Sequence, residues 1–99
     1  MRRLRLVAAI GKGLGAANVV ATKAVMGAED FGEFGKAAGI PSAMLSLGAM
    51  EPGRFKAAQA SGEVLPSPHS PLFAPDKERS IRTGVEALVL ATLDVLAKP

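Results

Sequence analysis

The chain has 99 residues, a formal net charge of +3 and no cysteine. This length allows one small domain, and the lack of cysteine excludes disulfide bonds and thiolate metal sites and is typical of a cytoplasmic protein. Tryptophan and tyrosine are absent, so a core has to be built mainly from aliphatic side chains, which bury less area than aromatic ones. The composition therefore predicts a marginally stable domain and indicates an incomplete one.

The positive charge is concentrated at the N-terminus, where Arg2, Arg3 and Arg5 stand, and the rest of the chain is close to balanced. This distribution gives no basic surface of the kind that binds nucleic acid, so no nucleic-acid partner is expected. The apolar stretch that follows is interrupted at Gly11, too early for a signal peptide or for the roughly 18 apolar residues of a membrane span. No membrane partner is expected either.

The first predicted elements are a helix, a strand and a second helix. Residues 4–17 are rich in leucine and alanine and predict a helix, although three glycines weaken the pattern. Residues 18–25 carry β-branched side chains and predict a strand. Asp30 is then expected to cap a helix that runs to about Ala38, where Gly39 ends it.

The remaining elements are a strand, a long loop and a helix. Residues 43–49 form a short apolar run that predicts a strand buried on both faces. Residues 51–75 contain five of the seven prolines and predict a long loop. Asp76 is expected to cap an amphipathic helix to Ala97, because apolar residues recur at helical spacing. The alternation of helices and strands predicts a layered α/β fold.

One glycine-rich motif and one acidic pair each have an ordinary structural interpretation. The glycines at 11, 13 and 15 lack the spacing, the preceding strand and the acidic residue of a dinucleotide-binding loop, so a glycine-punctuated helix is favoured. Glu29 and Asp30 stand together at the predicted start of a helix. One carboxylate can cap the helix while the other faces a cleft, and a plain capping pair is the alternative.

His69 is the one histidine of the chain and lies between Pro68 and Pro71. The prolines restrict the loop backbone and therefore aim the imidazole, which indicates a ligand. The alternative is a solvated loop histidine without a role. A catalytic zinc ion usually takes three protein ligands, so one histidine is at most part of a site.

Three segments in order resemble the C-terminal part of the metal-dependent amidohydrolases, the family of aminoacylases, hippurate hydrolases and auxin-conjugate hydrolases. The segments are Met26–Phe31, Ala43–Gly48 and His69–Phe73, and the amphipathic helix follows them. The resemblance covers residues 18–99, and residues 1–17 are a helix-like segment of uncertain origin. It implies the C-terminal portion of a zinc-peptidase-like layered α/β domain, which in the family is interrupted by a smaller lid and dimerisation domain.

The resemblance also implies an activity and site residues. The family hydrolyses the amide bond of N-acyl amino acids or small peptides with two divalent ions, which are zinc, manganese, cobalt or nickel. His69 matches the family's last metal ligand, and Glu29 and Asp30 match an acidic pair that supports the site. Ser70 would shape the ligand loop, and Phe73 would anchor it by burial.

The family's other metal ligands and its general-base glutamate have no counterpart in this chain. The expectation is therefore a C-terminal fragment of an amidohydrolase that is inactive alone, with homo-oligomerisation left open. A non-catalytic interaction module, which pairs its exposed faces with another subunit or a separately encoded part, is the first alternative. A decayed gene product is the second, and it predicts a chain that is largely disordered in solution.

Overall fold

The described structure is helical. The computed structural model describes residues 2–22 and 30–97. Four α-helices and one short 3₁₀ turn lie in these ranges. The helices are α1 (Arg2–Leu14), α2 (Phe31–Ala38), α3 (Pro52–Ser61) and α4 (Lys77–Leu96), and the 3₁₀ turn is Ala16–Asn18.

The prediction of a layered α/β fold is wrong, because no strand forms within the described residues. Asn18 ends the 3₁₀ turn and residues 19–22 are irregular, and the remainder of that predicted strand, 23–25, lies outside the described residues. Residues 41–49 are irregular and mostly exposed instead of buried on both faces. A strand needs a neighbour to satisfy its backbone N–H and C=O groups, and residues 19–22 and 41–49 pair with no strand among the described residues.

The first helix confirms the predicted helix but ends at Leu14, three residues before the predicted end. Gly15 follows with φ 90°, a conformation that is costly for residues with a Cβ. The Asn18 Nδ2 atom donates to the carbonyl oxygen of Leu14 at 2.6 Å and so satisfies one of the last free carbonyls of the helix. Gly15 therefore ends this helix, while Gly11 and Gly13 lie inside it.

The second helix confirms its predicted bounds. Asp30 is the N-cap residue, although its side chain makes no capping hydrogen bond. Gly39 adopts the left-handed conformation with φ 66°, and the amides of Gly39 and Ile40 donate to carbonyl oxygens of the last turn. Pro41 follows, so the chain leaves the helix where the sequence predicts.

The third helix lies inside the predicted loop, so that prediction is wrong for residues 52–61. Pro52 occupies the first helical position, where a missing N–H costs nothing and the fixed φ favours helix formation. Glu51 caps the helix with its carboxylate, and Gly62 ends it with φ 78°. Pro52 therefore starts a helix, whereas the other four prolines of 51–75 lie in the loop that follows it.

The fourth helix confirms the predicted C-terminal helix, and the Asp76 carboxylate accepts a hydrogen bond from the Arg79 amide as expected of an N-cap. Its predicted apolar face is nevertheless exposed: Ile81, Val85 and Leu88 are 57–66% accessible. The covered side carries Ala87, which is 3% exposed, together with the half-buried Gly84, Leu90 and Ala91. The helix is therefore packed through a different stripe from the one that its large aliphatic residues predict.

Of the four described helices, α1 and α4 pack directly against each other. Ile10 contributes the buried side chain of α1, and a Cβ on Gly13 would lie 2.4 Å from Leu90 Cδ1, so the two helices approach closely there. Arg5 Nε lies 2.6 Å from Asp94 Oδ2 and ties the start of α1 to the end of α4. Apolar residues buried among the described ones are few: Ile10, Ala58 and Ala87.

Candidate functional site

The segment around His69 is a pair of consecutive turns stabilised by its own hydrogen bonds. The Ser70 amide donates to the Ser67 carbonyl at 2.9 Å, and the Phe73 amide donates to the Ser70 carbonyl at 3.1 Å. The Ser70 hydroxyl oxygen accepts from the Leu72 amide at 3.1 Å. These bonds lie within seven residues, so the turn needs no distant element to define its backbone.

This turn presents the imidazole of His69 to solvent, since His69 is exposed while Ser70 is half-buried. The Ser70 hydroxyl, which accepts from the Leu72 amide, is a local contact of the turn. Phe73 is half-buried at the end of the turn. His69 is therefore accessible on a turn whose hydrogen bonds are local, and its role as a ligand stays a prediction.

The other predicted site residues do not join His69 in a cluster. Glu29 lies outside the described residues, so its predicted role is untouched by this structure. Asp30 stands exposed at the start of α2. In residues 2–22 and 30–97, no group of three His, Asp or Glu side chains is placed to hold a metal ion.

The described residues therefore do not by themselves assemble the two-metal site that the resemblance implies. An ion held by one imidazole keeps most of its coordination positions for water, and affinity for divalent ions rises with the number of protein ligands. A complete site would need ligands contributed from outside the described residues. His69 and its turn can supply one of those ligands and its support.

A second polar feature, which the sequence reasoning missed, lies between the segment that leads into α3 and the start of α4. A pocket there is lined by Gly48, Ala49, Met50, Pro52, Asp76, Arg79, Ser80 and Thr83. The Asp76 amide donates to the Ala49 carbonyl at 2.7 Å, and this bond joins the segment before α3 to the start of α4. Proline at 52 was the signal that could have located the α3 end of this pocket.

The carboxylates at this junction already accept hydrogen bonds from backbone amides of the chain. Glu51 accepts hydrogen bonds from the amides of Gly53 and Arg54, at 2.9 and 2.8 Å. These bonds, with a smaller contribution from the Arg79 charge, hold the pKa of Glu51 below its ordinary value of 4.5. Because Glu51 and Asp76 cap the two helices, the helix ends are satisfied from within the chain.

No described helix is both long enough and apolar enough to cross a bilayer. Comparison with known proteins finds no matching family model, no similar curated protein and no similar solved structure. The candidate site is therefore defined by the chain's own residues, and by His69 in particular.

Proposed function

We propose that this chain is the C-terminal part of a metal-dependent amidohydrolase that cleaves the amide bond of N-acyl amino acids or small peptides. The order of Met26–Phe31, Ala43–Gly48 and His69–Phe73 supports this function. The observation that carries it is the turn at 67–73, which fixes its backbone locally and leaves the single imidazole accessible. A loop that supplies one ligand to a site completed by another part of an enzyme has to hold its own backbone and to keep that ligand accessible.

The chain contributes one ligand in this proposal and does not hydrolyse amides alone. His69 is accompanied by no second and third ligand within the described residues, and Asp30 is positioned at a helix start instead. Binding of divalent ions to the lone chain is therefore expected to be as weak as binding to a single exposed histidine. Hydrolysis of N-acetyl amino acids by the purified chain with zinc, lost in His69→Ala, would refute this.

The first test is the DNA sequence immediately upstream of the Met1 codon in the source genome. An open frame that encodes histidine and carboxylate ligands, with a glutamate placed as a general base, supports the proposal. An upstream region without such a frame contradicts it and favours a chain that acts without catalysis.

The second test reconstitutes the activity from the two encoded parts. When the upstream product and this chain are mixed with zinc or manganese, hydrolysis of N-acetyl amino acids is expected. His69→Ala should lower the rate by more than about 100-fold, because removing a ligand costs more than removing a group that merely orients one. Ser67→Ala is the matched control, since the Ser67 contact in the turn uses its backbone carbonyl. An equal loss in both variants would contradict a ligand role for His69.

A non-catalytic interaction module is the second candidate function. It is favoured by the large apolar side chains that remain exposed on several elements, of which Phe34, Met44 and Leu88 are each more than 60% accessible. Solvent-exposed apolar patches mark surfaces that bind another chain. A module of this kind needs no upstream frame, so the DNA test separates it from the hydrolase.

A further inference from the structure

We draw no further inference here: the strongest candidate, the exposed aliphatic face of α4 with the groove lined by Leu88, Val89, Thr92 and Leu93, carries none because nothing in the part of the chain that the structure describes shows what covers it.

Discussion

Glu51 shows how a single residue outside the usual capping set determines where a helix starts. Its two carboxylate oxygens accept from two successive amides, Gly53 and Arg54, directly after Pro52 has fixed the first helical φ. Glutamate is not a preferred N-cap residue, so sequence patterns give it little weight. The charge on this carboxylate is nevertheless what the two amides bind.

The start of α3 is expected to depend on pH through Glu51. Its pKa is lowered in the folded chain by the two backbone hydrogen bonds and by Arg79. The stabilisation is therefore fully present above the ordinary value of 4.5 and is lost as the pH falls through the lower, folded pKa. Amide chemical shifts of Gly53 and Arg54, followed by NMR from about pH 7 to about pH 2, should titrate with a midpoint below 4.5.

Two variants make this pH dependence specific. Glu51→Gln keeps an acceptor but has no charge, so the titration of the two amides should vanish. Glu63→Gln removes a carboxylate beyond the end of α3 and should leave the titration of the two amides unchanged. A midpoint at or above 4.5, or a titration that persists in Glu51→Gln, would contradict the role of the Glu51 carboxylate.

The elements differ in how much of their structure the sequence determines. Helices α2 and α4 were predicted at the right places because their signals are local: Asp76 caps, Gly39 ends, and Pro41 prevents continuation. The two strands failed because a strand is defined by a neighbour, and an apolar run such as 43–49 carries no information on whether one is available. The prolines at 68 and 71 also predicted a constrained backbone around His69, and the hydrogen bonds of the turn at 67–73 are local.

The hydrophobic pattern of the sequence also did not predict the face through which α4 packs. Hydrophobic periodicity predicts that the large residues at 81, 85 and 88 are covered, yet they are exposed, and the covered side holds Gly84, Ala87, Leu90 and Ala91. Gly13 of α1 has no side chain and so allows the close approach to Leu90. Packing distance, and not apolar area alone, therefore decides which stripe of α4 is buried in the single chain.

Alanine substitutions in α1 should separate helix propensity from helix packing. Gly11→Ala and Gly13→Ala each gain up to about 1 kcal/mol of helix propensity. A Cβ at Gly11 meets its nearest atom, Ala16 Cα, at 3.4 Å, whereas a Cβ at Gly13 would lie 2.4 Å from Leu90 Cδ1 and must displace it. The helical circular dichroism at 222 nm should therefore increase more for Gly11→Ala. An equal or larger increase for Gly13→Ala would mean that the Leu90 side chain moves aside without a measurable loss of helix.

The whole molecule has more surface than a folded chain of its size usually keeps. Its accessible area is 8502 Å², whereas a compact monomer of this mass exposes about 5,300 Å². Its radius of gyration is 15.7 Å, against about 12.6 Å for a compact domain of the same length. A chain with this much exposed area has gained little of the burial that normally offsets the entropy of folding.

The single chain is therefore expected to unfold without a sharp transition. Urea unfolding at low concentration, followed by circular dichroism because the chain lacks tryptophan and tyrosine, should be broad, with an m-value below about 1 kcal/mol/M. A steep transition would mean that one chain buries a sufficient core by itself, in conflict with the exposed Ile81, Val85 and Leu88 side chains of α4.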